Sequence, residues 1–474
     1  MQGADLTDRL LKECEGFSRA REPMTTKILI GVIAAGVAAG TASVGGQAQQ
    51  DLVARAGAIH QRVIKLDTHN DIDPANFTAE CNYTMRLTTQ VNLPKMKEGR
   101  MDVSFMVVYV GQDSPPQVAD AFQPSGYERA YKAAIAKFDA VHRLTEQIAP
   151  KDIGLALTAA DVVRIHDSGR KVAVIGIENG YPLGTDINRV KEFWQRGGRY
   201  MSLAHNGHNQ LADSHTGEAA NEWRWGGLSP LGRQVIQEMN KWGVMVDVSH
   251  PSKGAIMQAI GLSRAPVIAS HSSVRKLANV SRNMDDELLM AMKTNNGVVQ
   301  INAVSDFVRT DPAERAPAIA ALRNEFGLNQ GRGGGAGRGA APPRCPVETP
   351  ASGAGGAEVP GVAGLSADRR AEFDRRMAEI DRKWPAAKPT VKDYVDHIDY
   401  AVKLIGIDHV GIASDFDGGG GVEGWNSAAE AVNVTIELVR RGYTEEQIGK
   451  IWSGNLLRVW TEVEKVAKEL QSAR

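Results

Sequence analysis

The chain has 474 residues, 42% hydrophobic and 23% charged, an ordinary globular balance that excludes a wholly disordered protein. Lys plus Arg number 55 and Asp plus Glu 56, a formal net charge of −1, so electrostatics give no case for a nucleic-acid partner. The three cysteines, Cys14, Cys81 and Cys345, are too few for a disulfide scaffold or a Cys-rich zinc module.

From Met24 the chain reads MTTKILIGVIAAGVAAGTASVGGQAQQ. Lys27 precedes an apolar run, Ile28 to Ala39, and small residues follow, so the segment reads as a secretory signal with cleavage after Ala48. The run is only about a dozen residues, short of the ~20 that span a bilayer. The alternative is an uncleaved anchor, and membrane association follows only in that case. Residues 1–48 are therefore set apart as an N-terminal extension. Residues 49–474 form the expected catalytic domain, exported to a periplasmic or extracellular space. In an oxidising compartment Cys81 and Cys345 could pair.

The domain alternates short apolar runs with helical patterns. Strands are expected at Val63–Leu66, Val103–Val110, Val172–Ile177, Tyr200–Leu203, Val244–Val248, Pro266–Ala269, Gly297–Ile301 and His409–Ile412. Their Val- and Ile-rich composition, apolar on consecutive positions, suits strands covered on both faces. Helices are expected at Leu231–Trp242, Lys253–Ile260, Asp286–Asn295 and Val391–Leu404. Eight strands alternating with helices point to the α/β class and a parallel (β/α)₈ barrel of the TIM type. Gly331 to Gly364 holds 11 Gly and 5 Pro in 34 residues, a composition that cannot bury enough apolar surface to order itself. It reads as the centre of a flexible insertion at about 306–389.

Polar residues recur just past the strands: Asp67-Thr68-His69-Asn70-Asp71 after the first, Glu178 after the third, then His205, His250 and His271, and finally Asp415 with Asp417. In a (β/α)₈ barrel that face carries the active site. Imidazoles and carboxylates without thiolates are the ligands of hydrolytic zinc. His69 and Asp71 are two apart, so an extended segment turns both the same way. Glu178 has two oxygens with which to bridge two ions, and a pair of ions can activate one water. Each residue has a plainer reading: a hydrogen-bonded loop histidine, turn caps for Asp67 and Asp247, a DG-rich turn for Asp415 and Asp417. All of these together would require repeated coincidence of position. GRGGGAGRG lacks the GK[ST] ending of a phosphate loop, and no GxSxG elbow is present.

The motifs DTHND, GIENG, YMSLAHNGHNQLADS, VDVSH, APVIASHSSVR and GIASDFDGG resemble, in order and spacing, those of the membrane (renal) dipeptidase family of zinc metallopeptidases. The similarity runs from about Val63 to SGNLLRVW near Trp460 and skips much of Asp306 to Pro389. It implies an amidohydrolase-type barrel with two Zn²⁺ per subunit, hydrolysing dipeptides by attack of a metal-bridging hydroxide, and a homodimer. Carried over, His69 and Asp71 bind one zinc, His250 and His271 the other, and Glu178 bridges them. His205 contacts substrate and steadies the tetrahedral intermediate, Arg282 holds the substrate carboxylate, and Asp415 manages the proton for the leaving amine. Thr68 and Asn179 stand where the family has Gly. The rival readings are hydrolysis of another amide on the same site (a β-lactam, an N-acyl amino acid or a cyclic imide) and a non-catalytic barrel.

Overall fold

The computed structural model describes residues 47–112, 121–328, 345–348 and 365–473. The signal-like segment and nearly all of Gly331 to Gly364 lie outside them. The chain divides into Met1–Ala54, whose described residues 47–54 are helical, and Arg55–Arg474. Everything below concerns the second unit.

Nine parallel strands form one sheet: β1 (Leu66–Asp71), β2 (Val103–Tyr109), β3 (Ile153–Leu155), β4 (Lys171–Glu178), β5 (Gly198–Ser202), β6 (Met245–Asp247), β7 (Ile268–Ala269), β8 (Val298–Asn302) and β9 (Val410–Ala413). The order is β1-β2-β4-β5-β6-β7-β8-β9, with β3 attached to β4 off this path. A parallel bridge between Asn70 and Phe416 joins the first strand to the segment after the last, and the Asp71 amide donates to the Phe416 carbonyl at 2.9 Å. The eight-strand barrel is thus nearly closed. All eight expected strands are present. The additional β3, three residues long, pairs with one neighbour only and is too short to leave a periodic signal.

The first strand begins later than its apolar run suggests. Its register with β2 starts at Leu66 opposite Val103, because Lys65 is held below the barrel. The Lys65 ammonium lies 2.6 Å from Asp102, and the Lys65 amide donates to the same carboxylate at 3.1 Å. His69 and Asp71 therefore lie inside β1, and Glu178 is the last residue of β4. Lys171 adds a second contact to Asp102 at 3.2 Å, so one buried acid ties three neighbouring strands together at their starts. Burial alone would raise the Asp102 carboxyl, but Lys65 and Lys171 hold it below its ordinary value. Removing the acid would strand a buried ammonium. Asp102→Asn is expected to destabilise the fold by about 3–5 kcal/mol, read as a lower urea midpoint with an unchanged slope.

Helices start where local chemistry dictates. Ser229 accepts from the Gly232 amide and Pro230 occupies the first turn of Pro230–Trp242, which ends at Gly243 in the left-handed region. Around Val391–Ile405 a Thr390–Asp393 capping box does the same work. The C-terminal helix Asn455–Ser472 turns Leu456, Val459, Trp460 and Val463 onto the main core, with Leu66, Val103, Phe105, Val174 and Tyr200. Trp460, Phe105 and Tyr200 form an aromatic column, centroids 6.1 and 5.5 Å apart, whose Tyr200 end reaches His69 of β1. Gly176 makes room for it: a Cβ there would lie 2.2 Å from the Tyr200 ring.

The flanks of the expected insertion are ordered. Helices Arg315–Glu325 and Ala367–Lys383 pack together through Leu322, Phe326 and Phe373. Cys345 is disulfide-bonded to Cys81.

Candidate metal centre

Four imidazoles converge on one buried carboxylate. Glu178 Oε1 lies 2.9 Å from His250 Nε2, 3.2 Å from His271 Nε2 and 3.8 Å from His205 Nε2, and its Oε2 lies 3.5 Å from His69 Nε2. The His250 and His271 Nε2 atoms are 3.0 Å apart. Three sets bring all their ligand atoms within 4.8 Å of one another: His69, Glu178 and His271; Glu178, His205 and His250; His69, Asp71 and Asp415. Glu178 and His69 each belong to two sets. His69 Nε2 and His250 Nδ1 are buried without a hydrogen-bond partner, a costly state unless something else binds there. The donor set of nitrogens and carboxylate oxygens fits divalent zinc, cobalt or manganese.

The rings are aimed by groups around them. The Tyr200 hydroxyl sits 3.0 Å from His69 Nδ1, leaving Nε2 to face Glu178. Ser270 Oγ sits 2.8 Å from His271 Nδ1 and donates to Asp247 at 2.6 Å. Asp247 also accepts from the Ser249 and Ser270 amides at 3.0 and 2.8 Å. Asp67 accepts from the Ser414 amide at 2.9 Å and from the His69 amide at 3.2 Å. Asp67 and Asp247 thus hold the loops that carry the ligands. Such supports fix tautomer and orientation, and their loss lowers metal affinity about 10–100-fold. Ser270→Ala is expected to lower metal affinity in that range while leaving the far-ultraviolet circular dichroism unchanged; competition with a metal indicator measures it.

Backbone strain gathers at the same rim. Asn179, His250, Asp415 and Asp417 have φ of 71°, 77°, 59° and 60°, the left-handed region that most side chains avoid and that Asn, Asp and His tolerate best. This accounts for Asn179 where the family has Gly. Its side chain also donates to the Val110 carbonyl at 3.0 Å. Thr68, the other departure, donates to the Ser270 carbonyl at 2.6 Å and so links β1 to the end of β7. Gly418 lets two acids meet, because a Cβ there would lie 2.3 Å from both Asp415 and Asp71.

The electrostatics match the crowding of acids and imidazoles. Burial opposes charge on His69, but Glu178, Asp415 and Asp71 outweigh it and take its pKa to about 10. Burial, helped by Glu178, raises Asp71 to about 7. Burial would raise Glu178, yet His205 and His69 hold it well below its ordinary value. Burial drives His271 down to about 3 and lowers His250 and His205 as well. The acids therefore draw positive charge to the centre of the site at His69, while burial disfavours charge on His205, His250 and His271.

The remaining expected residues divide. Asp415 accepts from Asn302 at 3.0 Å and lies 3.9 Å from His271 Nε2. Its carboxylate is therefore within ligating reach. Asp417 points elsewhere, accepting from the Gln90 and Val91 amides at 2.9 and 3.3 Å, so it pins a loop. Arg282 is 5% exposed. It donates to Ser272 Oγ at 2.9 Å and to the His271 carbonyl at 2.7 Å, and its Nε has no partner. Burial lowers its pKa to about 10, so it stays charged, and it forms no ion pair among the described residues. Tyr200, Ser270 and Asn302 were not anticipated. Ser270 was within view, next to His271; Tyr200 becomes visible only when β5 is placed inside the barrel.

Residues 53–474 match the membrane dipeptidase family, peptidase family M19. The chain is 29% identical over 404 residues to dipeptidase aclJ of Aspergillus oryzae, covering 85% of this chain and 75% of that one. Its fold matches the crystal structure of the "probable dipeptidase PvdM" of Pseudomonas aeruginosa with a TM-score of 0.71 and 30% identity, over 88% of this chain and 100% of the other. A metallopeptidase of Rhodobacter sphaeroides, liganded with a phosphinate mimic of the dipeptide L-Ala-D-Ala, shares the fold at a TM-score of 0.58 and 21% identity, over 85% and 99% of the two chains. With the barrel, its clustered ligands and a family match reaching from residue 53 to the C-terminus, the chain belongs to the membrane dipeptidase family and is a metal-dependent dipeptidase of family M19.

Proposed function

We propose that the chain is an exported dipeptidase working with two zinc ions, one held by His69 and Asp71, the other by His250 and His271, with Glu178 between them. The convergence of four imidazole nitrogens on the Glu178 carboxylate is the observation that carries this reading. Bound there, a pair of cations would supply Lewis-acid polarisation of the scissile carbonyl and a water acidic enough to react at neutral pH.

The chain's own groups do the rest. His205, half-buried at the rim, donates to the carbonyl oxygen as negative charge develops on it. Asp415, steadied by Asn302, receives the proton of the attacking water and returns it to the departing nitrogen. Arg282, a buried cation without an ion-pair partner among the described residues, receives the terminal carboxylate through its planar fork. A free carboxylate is then part of what is recognised, which favours a dipeptide over a cyclic imide or a C-terminally amidated substrate. The Cys81–Cys345 disulfide and the signal-like Ile28 to Ala39 run support export to an oxidising compartment. Protein purified without chelators is expected to carry zinc and to cleave dipeptides about 100-fold better than their C-terminal amides, the scale of one charge-assisted contact. Equal rates on acid and amide would refute the carboxylate grip.

A further inference from the structure

One cation at the mouth has no assigned role. Lys137 lies on the helix Pro124–Arg143 that follows β2. It is half-buried and makes no hydrogen bond or ion pair among the described residues. Its ammonium sits 5.8 Å from the centroid of the Tyr109 ring. Burial works against its charge, and Asp71, Asp73 and Glu178 lie near enough to support it. Tyr109 closes β2 directly beside Glu178 in the sheet register. Its hydroxyl is 3.3 Å from His205 Nδ1, and the two rings are 4.5 Å apart. Lys137 therefore shares the Tyr109 ring as a neighbour with His205, the group expected to meet the scissile carbonyl. Acids surround this ammonium at a distance, yet none of the described residues pairs with it directly.

Barrel geometry says which part of a substrate meets it. β2 is second and β7 sixth in the order of eight strands, so the two stand on opposite walls. Arg282 is bonded to the end of β7 through His271 and Ser272, and Tyr109 and Lys137 belong to the β2 wall. A dipeptide with its C-terminal carboxylate on Arg282 and its carbonyl near Glu178 and His205 turns its N-terminal residue toward Lys137. We propose that Lys137 is a specificity-determining residue that receives the side-chain carboxylate of an acidic N-terminal residue, making Glu- and Asp-initiated dipeptides the preferred substrates. This inference rests on the dipeptidase reading above.

The test compares kcat/KM for L-Glu-L-Ala, L-Ala-L-Ala and L-Lys-L-Ala in the zinc-loaded wild type and in K137M, K137R and K137E, with metal content measured on each sample. The wild type is expected to favour L-Glu-L-Ala. K137M should cut the Glu-to-Ala ratio on the order of 10- to 100-fold, K137R should keep most of it, and K137E should turn the preference toward L-Lys-L-Ala. A ratio unmoved in K137M and K137E overturns the proposal. So does an equal loss on all three substrates accompanied by loss of metal, which would make Lys137 a support for Asp71. A metal-loaded wild type that cleaves none of the three would instead overturn the dipeptidase reading, and this inference with it.

Discussion

Replacing Glu178 by Gln is expected to lower kcat/KM on dipeptides by about 10³-fold, the scale of several kcal/mol of lost transition-state stabilisation, and to reduce bound metal in the same sample. The substitution keeps the shape of the side chain and removes its charge. Glu178 is 3% exposed and, among the described residues, is the acid within 4 Å of all four imidazoles. An amide nitrogen in its place cannot ligate as the carboxylate oxygen does. It would also face imidazole nitrogens that burial keeps neutral. Metal analysis and steady-state kinetics on one preparation decide the matter. A Glu178→Gln protein with full metal and full turnover would remove the bridging role.

Arg282→Met is expected to lower kcat/KM for free dipeptides by about 10²- to 10³-fold, the scale of truncating one partner of a buried charge pair, and to change the rate on C-terminal amides far less. The distinction between acid and amide should then largely vanish. Arg282→Lys keeps the charge but loses the fork, so its effect should fall between the two. Because Arg282 also bonds to Ser272 and to the His271 carbonyl, metal content is the necessary companion measurement. Unchanged metal with collapsed acid–amide discrimination identifies a substrate contact. Parallel loss of metal and of activity on both substrates identifies a scaffold role instead.

Much of this is legible in the sequence. Most of the barrel strands announce themselves because burial on both faces keeps Val, Ile and Ala on consecutive positions, although β1 (LDTHND) and β5 (GRYMS) carry none of these residues. The gathering of His69, Asp71, Glu178, His205, His250, His271 and Asp415 is legible because the fold places the C-terminal end of every strand on one rim. What stayed hidden depends on three-dimensional neighbours. The start of β1 is set by the Lys65–Asp102 pair, whose members are 37 positions apart. Tyr200 supports His69 only because Gly176, on the adjacent strand, leaves space for its ring. The ligating reach of Asp415 depends on Gly418 lacking a Cβ, which in the sequence looks like one more turn glycine. Asp417 shows the converse: two residues from Asp415 and of the same chemistry, it is turned away by the loop and spent on the Gln90 and Val91 amides.

The most direct check is anomalous diffraction at the zinc edge from crystals of protein purified without chelators. Two peaks are expected on opposite sides of the Glu178 carboxylate, with nitrogen ligands at about 2.0–2.1 Å: His69 and Asp71 on one, His250 and His271 on the other. No peak, a single peak, or peaks away from Glu178 in an active preparation would contradict the account.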